Sequence, residues 1–188
     1  MWRGRAPGEL RERRTARRST VLIIVTFGAL ALAAPARAAV THTFTAGALE
    51  VQTSAGDSVI VACDAGSTTV NGTALTAPSV TCADIQSLLV TGDTGVNAID
   101  LSGVTPAAFT ALATVTVNAG DGHDPITGSP LGDTINGGVG DETIDGGAGA
   151  DTIGGDNGND TIEGGPGDDP DLRGGNANDT LIWNPGDG

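Results

Sequence analysis

An acidic side chain returns at a fixed interval through the last third of this chain. Residues 119–182 divide into seven units: AGDGHDPIT, GSPLGDTIN, GGVGDETID, GGAGADTIG, GDNGNDTIE, GGPGDDPDLR and GGNANDTLI. Six have nine residues and the sixth has one more. Each carries a glycine-rich or turn-forming start, an acid at its sixth position and an aliphatic residue near its end. Glycine-rich turns expose main-chain carbonyls, and carboxylates beside them supply charge. Together these oxygens form a donor set for a hard divalent cation. Calcium takes six to eight oxygens in irregular geometry, whereas magnesium demands a strict octahedron and keeps its water, so calcium is the better fit.

The elements that must position these acids follow from the same period. In unit four, Gly146, Gly147 and Gly149 allow a sharp turn with positive φ. Asp151, Thr152 and Ile153 then read as a very short strand. Side chains alternate along a strand, so Asp151 and Ile153 face one side and Thr152 the other. Ile126, Ile135, Ile144, Ile153, Ile162, Leu172 and Leu181 form an aliphatic column, a narrow core fed from both sides. One aliphatic residue per unit is too little to offset the entropy of ordering nine glycine-rich residues. Without counter-charge such an acidic segment is expected to be disordered.

Charge supports a cation as partner. The chain's net charge of −14 hides an asymmetry, because eight of its nine arginines lie in the first 37 residues and there is no lysine. Beyond residue 38 only Arg173 is basic, against 21 acids. That surface excludes nucleic acid and anionic membrane as partners, since both require positive charge.

The basic N-terminus precedes an apolar run, Val21 to Ala34, and then Ala36-Arg37-Ala38. This is the order of a secretory signal, with cleavage expected after Ala38. The run is shorter than the ~20 residues that span a bilayer, so no membrane insertion of the mature chain is expected. Arg13-Arg14 and Arg17-Arg18 leave the twin-arginine route open beside the general one. Cys63 and Cys82 are the only cysteines, and an even count in an exported protein predicts a disulfide.

Residues 39–118 differ from the repeats. They are rich in Thr, Val and Ala, and short β-like runs stand out at Ser58 to Cys63, Ser87 to Val90 and Ala113 to Val117. Turn signals at Ala55-Gly56-Asp57, Asn71-Gly72 and Gly92-Asp93 separate them. Asp84 to Val90 and Pro106 to Leu112 read equally as helical turn or strand. Residues 92–100, GDTGVNAID, match the nine-residue pattern with Asn97 in the acid's place and Ile99 in the aliphatic one. They read as a decayed repeat, which makes the N-terminal region an irregular cap of the same architecture. A separate small β domain is the rival reading.

The seven units resemble the repeats-in-toxin (RTX) calcium-binding nonapeptides. The resemblance implies a parallel β-roll, or β-solenoid, in residues 119–188; with the secretory signal read in residues 1–38 and the irregular β-rich cap in residues 39–118, an all-β chain is expected. The resemblance also implies that two units make one coil and that Ca2+ lies between turns of units k and k+2. Carried over by position, the metal ligands are Asp124, Asp133, Glu142, Asp151, Asp160, Asp169 and Asp179. Several units depart from the pattern. Unit two has Ser129 and Leu131 where glycines belong, unit three has Glu142 for Asp, and unit seven has Ala177 for glycine. Pro125 and Pro170 take the outward strand position, and the extra residue of unit six predicts a bulge. About three competent sites are expected, with units four and five the best.

The expected function is therefore that of a secreted, extracellular calcium-binding module that folds on binding Ca2+. It would serve structure or interaction, with an extracellular matrix or cell-surface partner. No HExxH, GxSxG or nucleophile–histidine pairing is present, so no enzyme activity is expected. The pattern is still running at Trp183 to Gly188, which suggests a truncated roll. The alternatives are a non-catalytic fragment of a larger secreted hydrolase and an ice-binding solenoid using the outward Thr134, Thr143, Thr152, Thr161 and Thr180. Exposed-face β-propensity is the simpler reading of those threonines.

Overall fold

The computed structural model describes residues 21–23, 40–54, 56–75 and 79–184. The fold is all-β: the described residues hold sixteen strands and one 3-10 turn, with no α-helix. The strands are β1 (Val21–Ile23), β2 (Thr41–Thr45), β3 (Ala48–Gln52), β4 (Val59–Asp64), β5 (Ser67–Val70) and β6 (Thr73–Ala74). After the 3-10 turn Cys82–Asp84 come β7 (Ser87–Thr91), β8 (Ile99–Asp100), β9 (Thr114–Asp121), β10 (Pro125–Thr127), β11 (Asp133–Val139) and β12 (Thr143–Asp145). The last four are β13 (Thr152–Asn157), β14 (Thr161–Glu163), β15 (Asp171–Asn176) and β16 (Thr180–Ile182).

These strands form two eight-stranded sheets. The first runs β1-β2-β3-β7-β9-β11-β13-β15 and the second β16-β14-β12-β10-β8-β4-β5-β6. Both are mixed. Pairing is antiparallel from β1 to β3 and from β4 to β6, and parallel elsewhere. From β9 onward, successive strands alternate between the two sheets. The sheets run unbroken across residue 118, where composition changes, because β7 pairs with β9 and β8 with β10.

The repeat sets the register. Ile135 pairs with Ile153 in the first sheet; in the second, Ile126 pairs with Ile144 and Ile144 with Ile162. One rung therefore spans two units. The extra residue of unit six is absorbed at Pro170, between Asp169 and β15, after which Ile153 meets Leu172 and Ile162 meets Leu181. Pro170 thus lies just outside the strand that the sequence pattern assigns it to, while Pro125 opens β10.

One expectation needs correction. The units do not give equally short strands. Those of the second sheet have three residues from β10 onward, but β9, β11, β13 and β15 have eight, seven, six and six. In the first sheet the glycine-rich start of the next unit continues the ladder, as Gly138↔Asp156 and Asp156↔Gly175 show. The ambiguous segments also resolve. Asp84 ends the 3-10 turn and Ser87 begins a strand, whereas residues 106–112 are turns.

The core is one continuous row of buried apolar side chains, from Leu49 and Val51 to Leu172. It is broad in the N-terminal region, where Val61, Leu75, Val80, Ile85, Leu101, Val104 and Phe109 thicken it, and narrow in the repeats. A disulfide joins Cys63 to Cys82, with Cα atoms 5.9 Å apart. Of the expected leader only Val21–Ile23 are described, as a strand beside β2; the cleavage point lies outside the described residues.

Candidate functional site

The acids stand in two columns. Asp133, Asp151 and Asp169 end the turns that lead into the first sheet. Asp124, Glu142, Asp160 and Asp179 end those that lead into the second. All but Asp179 are buried, and Asp179 is partly exposed. Burial follows from strand alternation. Each acid precedes its inward aliphatic residue by two positions, three at Asp169, and so faces the interior.

In Asp124, Asp151, Asp160, Asp169 and Asp179 one carboxylate oxygen is used in joining rungs. The Asp133 N–H donates to Asp151 Oδ1 at 2.7 Å, and the Asp151 N–H to Asp169 Oδ1 at 2.8 Å. In the other column the Glu142 N–H donates to Asp160 Oδ1 at 2.9 Å and the Asp160 N–H to Asp179 Oδ1 at 3.0 Å. Asp124 Oδ1 receives the N–H of Asn97 at 2.7 Å, so the decayed unit belongs to the same column.

The second oxygen is a different matter. Asp124 Oδ2, Asp151 Oδ2, Asp160 Oδ2 and both oxygens of Glu142 are buried without a hydrogen-bond partner. An unpaired buried carboxylate oxygen is costly, because it has lost water and gained nothing in return. The titration behaviour carries the same mark. Burial raises the pKa of Asp124, and raises Asp151 to about 7, with Asp133, Asp169 and Asp145 adding repulsion. Burial and the charges of Asp160, Asp124 and Asp141 raise Glu142 to about 8.

Carbonyl oxygens converge on the same spaces. A Cβ built on Gly146 would lie 2.8 Å from Asp151 Oδ2 and would collide with Gly164 O of the next rung. At Gly155 it would meet Asp160 Oδ2 and lie 2.7 Å from Gly174 O. At Gly137 it would lie 2.8 Å from Gly155 O and 3.1 Å from Glu142 Oε2. The first glycine of a unit is thus the floor on which its own acid and a neighbouring carbonyl meet. Among the described residues no three His, Cys, Asp or Glu side chains gather as a metal cluster. The acids are strung out in columns, so main-chain carbonyls must complete any coordination shell, as calcium permits. Unpaired buried carboxylate oxygens beside carbonyls fit a hard cation.

The irregular units differ as their residues dictate. Ser129 donates through Oγ to Asp133 Oδ1 at 2.7 Å and through its N–H to Oδ2. Burial raises Asp133 only to about 6 against these bonds, and this acid has no unpaired oxygen. Glu142 is one methylene longer. Its carboxylate lies over Gly137 and Gly140 of its own turn, and both of its oxygens stay unpaired. Ala177 holds φ 90, where Gly122, Gly140, Gly149 and Gly158 occupy the same place in other units. A side chain is strained there.

Two features escaped the sequence reading. The Ser129 bridge is one. The other is a side-chain ladder at the fifth position of alternate units. His123 Nδ1 accepts from the Asp141 N–H at 2.8 Å, Asp141 Oδ1 from the Asn159 N–H at 2.8 Å, and Asn159 Oδ1 from the Asn178 N–H at 3.2 Å. These polar residues recur in every second unit, a spacing that signals the ladder but not the bonds between its rungs. The outward threonines are exposed in both sheets, with Thr143, Thr161 and Thr180 in register.

The RTX calcium-binding nonapeptide repeat family matches residues 118–153 and 136–169, with four copies of the repeat. The chain carries RTX repeats. Comparison with curated proteins and with solved structures gave no match. The matched RTX segment contains six of the seven predicted ligand acids, Asp124 to Asp169. Asp179 and the Asn97 unit lie outside it.

Proposed function

We propose that the RTX tract binds calcium between successive rungs, that it folds as a parallel β-roll on doing so, and that the protein works outside the cell as a structural or interaction module. The unpaired buried carboxylate oxygens carry this reading. They are costly in a metal-free interior and become ligands when a cation is present. Bound calcium would supply the positive charge that the mature sequence lacks. Asp124, Glu142, Asp151, Asp160, Asp169 and Asp179, with turn carbonyls, would hold it. Asp133 is the weakest member because Ser129 already occupies its oxygens. Alternation of parallel strands between two sheets at the repeat period supports the roll.

Metal binding energy then serves as folding energy. Export through the N-terminal signal would deliver an unfolded tract to a calcium-rich exterior. No helix among the described residues is long and apolar enough to cross a membrane. The proposed role is non-catalytic, and a hydrolase screen of the purified protein separates it from the enzyme class. The deciding test is circular dichroism of the chain titrated with calcium and then chelator. Strand signal should grow with calcium and fall with chelator. An unchanged spectrum at millimolar calcium would overturn the reading.

A further inference from the structure

Asn97 occupies the position that an acid holds in every later unit, yet its surroundings are the reverse of theirs. A Cβ on Gly92 would lie 3.0 Å from Asn97 Oδ1 and would collide with Ala119 O. That is the arrangement found at Gly146 with Asp151 and Gly164, so the side-chain oxygen sits in the same place. In Asp151 one oxygen is unpaired; in Asn97 every polar side-chain atom is bonded. Its Oδ1 accepts from the Asp93 N–H at 3.1 Å and from the Thr53 hydroxyl. Its Nδ2 donates to Asp93 Oδ1 at 3.0 Å and to the carbonyl of Gly95. Asn97 is fully buried.

We infer that residues 92–100 are a repeat turn closed without metal, in which the Asn97 amide N–H groups hold the carbonyl and carboxylate oxygens that a cation would otherwise gather. The inference rests on the calcium reading for the later units. An amide has two donors and no charge, so it crosslinks two acceptors at no cost in buried charge. Thr53 adds a link that later turns lack, from the segment after β3.

The neighbouring column ends in an equally neutral way. Asp133 pairs in register with Val115, and above Val115 come Leu88 and Leu49. Both acid columns therefore begin on uncharged residues, Asn97 and Val115, in a region that also carries the disulfide. This closed rung offers Asp124 a fixed N–H, that of Asn97, before any ion binds. The first calcium-dependent rung then adds to a formed edge, and the costly nucleus of a parallel pairing is already made.

Hydrogen exchange of the full chain in chelator tests this directly. Amides of residues 87–101 should exchange slowly while those of residues 133–163 exchange fast. Equal rapid exchange in both segments would overturn the inference. In Asn97→Asp the donors are lost and a charge is added. Exchange at residues 92–101 should then rise on the order of ten-fold or more in chelator and be restored by calcium. Unchanged protection of Asn97→Asp in chelator would also overturn it. Asn97→Ala should lose protection in both conditions, with no rescue by calcium; full protection of that variant would count against the role of the amide. If calcium leaves residues 119–182 of the wild type unprotected, the calcium reading fails. The wild-type and Asn97→Ala exchange at residues 92–101 still judge the metal-free turn.

Discussion

The two halves of this molecule use one sheet in opposite ways. In the first sheet an inward row begins Leu49, Leu88, Val115 and continues, in register, with Asp133. The row beside it stays apolar throughout: Val51, Val90, Val117, Ile135, Ile153 and Leu172. The same interior position is therefore oil in residues 40–118 and carboxylate from residue 133 on. Oil needs no partner and is always in place. A carboxylate must find a cation, and so makes the second half conditional on the surroundings. From β3 to β15 the pairing is parallel throughout, so along that stretch the difference lies in the chemistry of one row.

Acid should substitute in part for calcium, and this is the largest effect expected within the repeat half. Asp133, Glu142 and Asp151 have pKa values raised to about 6, 8 and 7 by burial in the folded state. In the unfolded chain they titrate near ~4. The folded state therefore binds more protons between pH ~4 and ~8, and its stability falls as pH rises through that window. In chelator, lowering the pH from ~8 to ~4.5 should recover strand signal in residues 119–182, by a free energy on the order of several kcal/mol. In saturating calcium the direction reverses, because protons compete with the ion. Residues 40–118 should show no such gain in acid: burial lowers the pKa of His42, so protons work against folding there. Segment-resolved hydrogen exchange at the two pH values checks this. Equal pH sensitivity in both halves would erase the distinction.

The disulfide gives the opposite selectivity. Cys63 and Cys82 are separated by 19 residues within the N-terminal half. Replacing both by serine should lower its stability by about 3 kcal/mol in the loop-entropy account. In calcium the repeat unfolding should be affected only through the shared edge at β9 and β10. Denaturant unfolding followed by exchange in each half would show a shift confined mainly to residues 40–118. A larger shift in the repeats would mean that the two halves unfold as one unit.

Much of this arrangement was legible in the residues. The nine-residue period placed the strands and aliphatic residues, and alternation of side chains put Asp151 and Ile153 on one face. Asn97 announced a decayed unit through Gly92, Gly95 and Ile99. The unequal strand lengths were not legible, since the same glycine-rich start closes a turn in one sheet and extends a ladder in the other. That choice depends on pairing between rungs, which local sequence does not encode. The Ser129 bridge was hidden because a serine in a glycine place reads as a defect, whereas its hydroxyl and N–H satisfy Asp133. Thr53 could not be connected to Asn97 from spacing, since 44 residues separate them.

The smallest expected change isolates the row itself. Asp151→Asn keeps an oxygen that can accept from the Asp133 N–H, and it removes the charge that leaves Oδ2 unpaired. In chelator it should shift the repeat half toward the folded state by about 1–2 kcal/mol, read as slower hydrogen exchange, because a buried unsatisfied acceptor disappears. In saturating calcium it should lower stability, because a carboxylate ligand is gone. Asp151→Ala separates charge from hydrogen bonding: it strands the Asp133 N–H and should destabilise in both conditions. A variant whose effect changes sign with calcium identifies an acid that works by its charge. If Asp151→Asn destabilised equally with and without calcium, Asp151 would be a rung-joining acceptor only, and the repeat half would differ from the N-terminal half in packing alone.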